Sequence, residues 1–266
     1  MKRTLLRDGT SVFCLRAPEA KMLDHHVEGY LNHGISIKDG DVIFDVGANI
    51  GVFGIRAIQN HPNTIVYCFE PIPDILEVLN KNAETFDKER LRVIPFGVSN
   101  EEAHATFSYF PNTPALSTLH PEEWDKDPKA FAKAVKGTMK NPPDGMKWMR
   151  LIPTAFSGLI AKQLVKGKKQ VDCQLKRLST IIKEENVERI DLLKVDCEGA
   201  ELSAIQGIDA DDWPKIQSLV IEVHDTNGRL DTIQSILKKH GFSSIHIERE
   251  AGLEETQLFN LFATRR

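Results

Sequence analysis

The strongest constraint on the fold of this chain is a short stretch, residues 41–51, that joins an apolar segment to two closely spaced glycines. Its apolar run, residues 42–44, has the length and the β-branched content of a buried strand. Gly47 and Gly51 allow a tight turn and close approach of a ligand to the backbone, and residues 52–58 continue with apolar positions at helical spacing. A strand, a glycine turn and a helix in this order predict a doubly wound α/β fold with its ligand site at the turn.

The glycine spacing and the acidic residue after the next strand narrow the choice of ligand. The turn has the pattern G-x-x-x-G and not the G-x-G-x-x-G of pyrophosphate-binding turns. The next predicted strand, residues 64–69, is followed by Glu70, whose carboxylate can accept both hydrogen bonds of a ribose diol. These features favour S-adenosylmethionine over NAD, and the alternative is that Asp45 and the glycines only form a turn. The predicted cofactor-binding residues are Asp45, Gly47, Ala48, Asn49, Gly51, Glu70, Pro71, Gly97, Val98 and Asp196.

Composition excludes several classes of protein. The chain has 266 residues, 41% of them hydrophobic, which suits one α/β domain with or without an insertion. No apolar run approaches the roughly 20 residues of a membrane-spanning helix, and the N-terminus lacks the apolar region of a secretory signal. The four cysteines are scattered without a C-x-x-C pair, so neither a zinc site nor a disulfide framework is predicted. We therefore expect a soluble, cytoplasmic protein with no membrane partner.

Beyond the first unit, strand and helix patterns alternate and predict seven strands. A short link separates the last two, which indicates an antiparallel hairpin closing an otherwise parallel sheet. A short edge strand at residues 105–110 is left out of this count. Within a single domain, 1–266, we expect residues 1–35 to be helical and the proline-rich residues 111–170 to form a helical lid insertion. The predicted strands are residues 42–44, 64–69, 91–96, 190–196, 216–224, 243–248 and 257–264.

Four sequence blocks, in this order, resemble the signatures of FkbM-type methyltransferases. The blocks are residues 45–51 (DVGANIG), 69–71 (FEP), 194–201 (KVDCEGAE) and 221–224 (IEVH). The lead-in at residues 30–35 is similar to that of family members from polyketide and nonribosomal-peptide pathways. The resemblance runs from about residue 30 to the C-terminus, interrupted by residues 111–170. It implies the Rossmann-like fold of class I methyltransferases, S-adenosylmethionine as the methyl donor and usually an oxygen atom as the acceptor.

The candidate catalytic residues lie at two predicted strand ends. Methyl transfer chiefly needs proximity and a base that removes the acceptor proton. Asp196 ends the fourth strand and His224 the fifth, and ligands of open α/β sheets lie at these carboxyl ends. Glu222 and His224 are two residues apart and leave the same face of their strand. We predict that His224 is the general base, because its ordinary pKa is near the working pH, and that Asp196 or Glu222 orients its ring.

Two other interpretations use the same residues. His224 could simply cap a strand, because a lone histidine is often structural. Asp196, Glu222 and His224 could instead hold a divalent cation that binds and acidifies a hydroxyl. Nothing in their spacing fixes their geometry, and the prediction therefore includes no metal.

The distribution of charge points to a macromolecular partner. Residues 126–177 contain thirteen Lys and Arg against three Asp, a net charge of +10, although the whole chain carries −4 and the remainder therefore −14. Such asymmetry is a statement about partners, and a basic lid suits a substrate delivered by an acidic acyl carrier protein on its phosphopantetheine arm. The alternative is a solvated lysine face. The apolar side chains in and beside this region are Trp124, Phe131, Met139, Met146, Trp148, Met149 and Phe156.

Three functions follow from these observations. The first is an O-methyltransferase acting on a hydroxyl or carboxyl of a natural-product intermediate, with a carrier-bound polyketide or peptide acyl chain as the expected substrate. The second is an RNA or other nucleic-acid methyltransferase that uses the basic segment for phosphates. The negative overall charge and the lack of an RNA-binding motif argue against it, and no nucleic-acid partner is expected. The third is a non-catalytic nucleoside-binding protein on the same fold.

Overall fold

The predicted central sheet is present in the computed structural model, which describes residues 1–120, 128–140, 142, 147–249 and 256–265. The strands are β1 (Lys2–Leu5), β2 (Ser11–Cys14), β3 (Val42–Val46), β4 (Ile65–Phe69), β5 (Leu91–Ile94), β6 (Gly97–Val98), β7 (Ala103–Tyr109), β8 (Lys169–Lys176), β9 (Ile190–Val195), β10 (Ile216–His224), β11 (Ser244–Glu248) and β12 (Leu258–Thr264). The helices are α1 (Ala17–His26), α2 (Val52–Asn60), α3 (Pro73–Phe86), α4 (Pro128–Lys140), α5 (Ser157–Leu164), α6 (Leu178–Glu184), α7 (Glu201–Gln206) and α8 (Arg229–Lys239). Short 3₁₀ helices lie at Val27–Tyr30, Pro114–Leu116, Lys147–Leu151, Thr154–Phe156 and Trp213–Lys215.

Seven of these strands form one sheet in the order β11-β12-β10-β9-β3-β4-β5. The strands β3, β4, β5, β9 and β10 run parallel, whereas β12 is antiparallel to both of its neighbours, β10 and β11. The predicted seven-stranded, mostly parallel sheet with an antiparallel last strand is therefore confirmed. The chain leaves β3 toward β4 on one side and has β9 on the other. This is the switch point at which open α/β sheets bind ligands, at the carboxyl ends of the strands.

Both faces of the sheet are covered, which explains the nearly continuous apolar runs of its strands. In β3, Ile43 packs into a core that includes side chains of α1, α2 and α3. The next residue, Phe44, and Val46, two positions further along the strand, belong to a second core with side chains of α6, α7 and α8. Successive side chains of one strand thus enter different helical layers, as a doubly wound fold requires.

The expectation of a helical segment over residues 1–35 is wrong for its first half. The strands β1 and β2 form an antiparallel hairpin, and only then does α1 begin. Val12 and Cys14 are fully buried in the first core, whereas Ser11 is exposed and Phe13 is partly buried. This period of two marks a strand, but four residues are too few for the pattern to stand out in the sequence.

A second, three-stranded sheet has the order β6-β8-β7. The optional edge strand at residues 105–110 corresponds to β7, which pairs antiparallel with β8. The sequence analysis missed β8, in which Cys173 and Leu175 are buried and Gln174 between them is exposed. Because β8 begins at Lys169, the predicted insertion ends two residues earlier than expected.

The insertion, residues 111–168, contains α4, α5 and three of the 3₁₀ helices in its described parts. It has a small core of its own, formed by Val135, Met139, Met149 and Ala161. Leu151, Phe156 and Leu159 remain exposed at 85%, 48% and 63% of their surface. Trp124 and Met146 lie outside the described residues, as do the side chains of Phe131 and Trp148. No helix within the described ranges is long and apolar enough to cross a membrane.

Candidate functional site

A cleft opens at the carboxyl ends of β3, β4 and β9. Its volume is about 610 Å³ when the solvent-filled space at its open mouth is included. Of the predicted cofactor-binding residues, those that line it are Gly47, Asn49, Glu70, Pro71, Gly97, Val98 and Asp196. The structure therefore brings together residues from four separate segments of the sequence at one end of the sheet.

At position 47 the turn lies so close to a neighbouring strand end that only glycine fits. The amides of Gly47 and Ala48 both donate to the carbonyl of Phe69, at 3.1 and 3.0 Å. Gly47 has a φ of +78°, and a β-carbon there would lie 1.7 Å from the carbonyl oxygen of Asp196. Gly51, with a φ of +84°, precedes the first residue of α2. Ala48 and Gly51 therefore belong to the turn but do not line the cleft.

Asp45 lies beneath the cleft and not in its wall. Its fully buried carboxylate forms an ion pair with Nζ of Lys194 at 2.9 Å, and Lys194 is only 3% exposed. Burial alone would lower the pKa of Lys194, but Asp45, Asp196 and Glu222 raise it above its ordinary value. The ammonium group therefore stays charged. Removing either member of this pair would leave an uncompensated buried charge under the site, so we assign Asp45 a structural position.

Glu70 is the buried acid of the cleft wall. It is 5% exposed, and its Oε1 accepts the amide of Ile72 at 2.9 Å. Burial raises the pKa of Glu70 to about 7, although the amides of Ile72 and Asn49 act against this shift. Such a carboxylate is short of hydrogen-bond donors. A ribose diol would supply two of them, and Glu70 is positioned for the predicted contact with the nucleoside.

Tyr30 belongs to the site, although the sequence analysis did not single it out. The N-terminal segment carries its hydroxyl to Oδ2 of Asp196, to which it donates at 2.9 Å. Burial and then the charge of Asp196 raise the pKa of Tyr30 well above its ordinary value, so the phenol remains a donor. Nζ of Lys194 lies 5.0 Å from the centre of the Tyr30 ring. The lead-in block at residues 30–35 was the signal that could have identified this contact.

The partners of His224 differ from those that the sequence predicts. Its Nε2 lies 3.3 Å from Oε2 of Glu198 and its Nδ1 lies 3.1 Å from Oε1 of Glu201. Glu198 lines the cleft, and His224 lies behind it. The expectation that Asp196 or Glu222 orients the ring is therefore wrong, because the two ring nitrogens face glutamates of the 194–201 block. The charge of Glu222 acts instead on Tyr30 and Lys194, and it raises the pKa of both.

The charge state of His224 also differs from the prediction. Burial alone would lower its pKa, but Glu201 and Glu198 raise it well above the ordinary value. The two carboxylates therefore favour the imidazolium over the neutral ring, which disfavours His224 as the proton acceptor. Burial raises the pKa of Glu198 despite the opposing effect of His224, which makes this carboxylate a stronger base. The prediction that His224 is the general base because its pKa is near neutrality does not fit this geometry.

Behind the ring, Glu201 and Arg229 complete the network. Glu201 is fully buried and accepts the amide of Gly199 at 2.7 Å and Nη1 of Arg229 at 3.3 Å. Nη1 of Arg229 also donates to the carbonyl of His224 at 2.6 Å. Two carboxylates and two cations thus form a row that leads from the helix α8 to the cleft wall.

Part of the insertion closes one side of the cleft. Pro114, Ala115, Ser117 and Leu119 line it. The amide of Ala115 donates to Glu19 of α1 at 2.5 Å, and the hydroxyl of Thr118 donates to the carbonyl of Glu198 at 2.5 Å. The proximity of residues 114–119 to the site could not be inferred from the sequence, because it depends on contacts with α1 and with the loop before α7.

The carboxylates and histidine proposed as a metal site do not converge on one point. Among the described side chains, the group of three potential ligand atoms lying within 4.8 Å of one another is formed by His33, His246 and Glu248. It does not include Asp196, Glu222 or His224. The arrangement at the cleft is instead a chain of ion pairs and charge-assisted hydrogen bonds.

Comparison with known proteins agrees with the site. The Methyltransferase FkbM domain family matches residues 45–244. The 31-O-demethyl-FK506 methyltransferase FkbM of Streptomyces tacrolimicus is 30% identical over 98% of this chain and 95% of its own length. Methyltransferase sdnD of Sordaria araneosa is 30% identical over 97% of this chain and 95% of its own length. The similarity to both extends over nearly the whole of each protein.

A solved structure shows the same fold. The crystal structure of methyltransferase FkbM from Methylobacillus flagellatus KT superposes with a TM-score of 0.51 and 16% identity, over 86% of this chain and 45% of that one. Three observations agree: the sheet order, the cleft at its switch point and the 200-residue family match. The chain belongs to the FkbM methyltransferase family and is a methyltransferase that uses S-adenosylmethionine as its cofactor.

Proposed function

We propose that the protein methylates an oxygen atom, a hydroxyl or a carboxyl, of a natural-product intermediate. The observation that carries this proposal is Glu198, a half-buried carboxylate in the cleft wall with a raised pKa, on the opposite side of the switch point from Glu70. An alcohol needs a base when its oxygen attacks the methyl group. The names of two relatives describe O-methylation: the FK506 methyltransferase and the 2-O-methyltransferase NoeI of Sinorhizobium fredii.

The residues divide the reaction between two sides of the cleft. When bound, S-adenosylmethionine would supply an electrophilic methyl carbon to the acceptor oxygen, with its sulfur as the leaving group that keeps the electron pair. Glu70 and the turn at Gly47 hold the nucleoside. Glu198 accepts the hydroxyl proton, and the His224 imidazolium behind it orients the carboxylate and offsets the repulsion of Glu201.

The substrate class rests on the relatives and on the charge of the insertion. Part of AmbE, the AMB antimetabolite synthetase of Pseudomonas aeruginosa, is 31% identical over 90% of this chain, which spans 11% of the synthetase. Residues 126–177 carry +10 against −14 in the remainder. The charge of this surface is complementary to that of an acidic carrier protein bearing an acyl chain. A carrier-bound substrate is synthesised in the cytoplasm, which is where we place the protein. Leu151, Phe156 and Leu159 offer exposed apolar contacts beside the lysines.

One experiment tests the activity itself. The protein is incubated with S-adenosylmethionine and a panel of free, pantetheine-linked and carrier-bound hydroxy acids, and the products are read by intact mass. A gain of one methyl group that ester hydrolysis does not remove assigns a hydroxyl, and a labile gain assigns a carboxyl. Cofactor binding without methylation of any oxygen acceptor would contradict the proposal, as would methylation of RNA alone.

A charge-reversal experiment tests the carrier. Lys162, Lys166 and Lys169 are exposed, and their replacement by Glu should slow association with an acidic carrier, because electrostatic steering chiefly sets the association rate. Turnover of a small pantetheine substrate should be unchanged. The matched control reverses Lys88, Lys238 and Lys239, which are equally exposed but outside the insertion. An equal effect of both triple variants on the carrier-to-free ratio would mean that the insertion lysines are only a solvated face.

A further inference from the structure

We propose that His33, His246 and Glu248 form a binding site for one divalent transition-metal ion, separate from the cleft. His33 follows the 3₁₀ helix Val27–Tyr30, whereas His246 and Glu248 lie on β11. The two segments are more than 200 residues apart in the chain, yet Nε2 of His33 lies 2.8 Å from Oε2 of Glu248. The site goes beyond methyl transfer, because none of its residues lines the cleft.

The distances match those of a metal site before its ion binds. Zinc bound tetrahedrally at about 2.0–2.1 Å from N and O ligands sets those ligands about 3.3 Å apart. Oε2 of Glu248 lies 2.8 Å from Nε2 of His33 and 4.0 Å from Nε2 of His246, so the observed values bracket this separation. The three ligand atoms lie within 4.8 Å of one another. Because the two rings lie nearly parallel, the His246 ring must turn before its lone pair points to an ion shared with His33 and Glu248.

The chemistry of the donors selects the class of metal. Two imidazoles and a carboxylate form the donor set of many zinc sites that keep a water as the fourth ligand, and imidazole favours Zn²⁺ or Ni²⁺ over Mg²⁺. The two rings stack with centroids 3.5 Å apart and lie over Phe262, 4.8 Å from His33. The side chains remain 31%, 50% and 36% exposed, so a hydrated ion can reach them.

The ion would fasten the N-terminal segment to the edge of the sheet. His33 lies three residues after Tyr30, whose hydroxyl donates to Asp196 in the cleft wall. β11 is the outermost strand and lies three strands away from β9, at about 4.8 Å per strand. A metal at this edge would therefore restrain the segment that delivers Tyr30, without touching the substrate.

The test measures zinc binding by calorimetry and native mass spectrometry on the full chain without a histidine tag. We expect one Zn²⁺ per chain in the wild type and no binding of Mg²⁺ at this site. H246Q and E248Q should each weaken Zn²⁺ binding by at least the roughly 10–100-fold that loss of an outer-shell partner costs. The control H104Q replaces an exposed histidine on β7 and should bind like the wild type.

Two further readouts separate this site from zinc bound at the cleft. E198Q should retain the high-affinity site, and Zn²⁺ should slow amide exchange in residues 27–35 of the wild type but not of H246Q. The proposal would be overturned if no Zn²⁺ bound at about 100 μM, a concentration on the order of the dissociation constant of a weak surface site. Equal binding by wild type and H246Q would also overturn it, and either result would leave an ion pair with stacked rings. Methyl transfer is measured separately, so the failure of one proposal is distinguishable from that of the other.

Discussion

The two sides of the cleft are built by different means. The cofactor side consists of the turn at Gly47 and of Glu70, within 24 residues of sequence, and hydrogen bonds of the backbone set its shape. The proposed acceptor side consists of Glu198, His224 and the residues behind them, and paired side-chain charges hold it together. We infer that changes to the turn at Gly47 act first on folding, whereas changes to the carboxylates and to His224 act first on binding or chemistry in a protein that still folds.

The largest expected effect is that of Gly47→Ala. Its β-carbon would lie 1.7 Å from the carbonyl oxygen of Asp196, where no flexible side chain can give way. We expect a loss of about 4 kcal/mol or more in the free energy of unfolding, measured by urea denaturation. The matched control is Gly40→Ala, which has a φ of +86° but nothing within 4 Å, and which should cost only about 1–2 kcal/mol. Equal losses would show that backbone conformation, and not contact with Asp196, makes glycine necessary.

The second prediction distinguishes the two candidate bases on the acceptor side. Glu198→Gln keeps the shape of the side chain but removes the proton acceptor, and it should lower kcat by about 10²–10⁴ without loss of cofactor affinity. In His224→Gln the cation that lowers the pKa of Glu198 is absent, so that pKa rises further. The acid limb of the pH–rate profile should then move to higher pH, and activity should recover in alkaline buffer. No recovery would return the role of base to His224.

The third prediction sets stability against binding at Glu70. Its pKa is raised to about 7 in the folded protein, so the folded state binds a proton between about pH 4.5 and 7 that the unfolded state does not. The free energy of unfolding due to this group therefore falls as pH rises through that interval. Glu70→Gln removes the buried charge. Above pH 7 the free energy of unfolding of this variant should therefore be equal to that of the wild type or higher by up to about 1 kcal/mol. Calorimetry should show cofactor binding weaker by about 1–3 kcal/mol. Unchanged affinity would refute the ribose contact.

The same contrast explains what the sequence could predict. The seven strands of the central sheet, the glycine turn and the position of Glu70 follow from patterns local in the chain, which backbone hydrogen bonding and side-chain periodicity determine. His224 was located at the correct strand end, but its partners were not. Glu198 has a φ of +49° in a loop, and such a conformation cannot be read from residue type. The pKa of His224 depends on burial and on two carboxylates at once, a property of packing that no spacing encodes.

The smallest expected effect lies where the insertion meets the acceptor side. Glu19 accepts the amide of Ala115, and its removal in Glu19→Ala costs one charge-assisted hydrogen bond. Because this bond holds the edge of the cleft and not the core, the variant should lose about 1 kcal/mol or less in local stability and nearly nothing in global stability. Hydrogen exchange should become faster at residues 113–119 and stay unchanged in β4. KM for the acceptor should rise with kcat retained. The control Glu28→Ala removes an exposed ion pair with Arg7 from the neighbouring 3₁₀ helix and should leave both readouts unchanged. If exchange at residues 113–119 stays unchanged in Glu19→Ala, the segment is held instead by the hydroxyl of Thr118, which donates to the backbone carbonyl of Glu198.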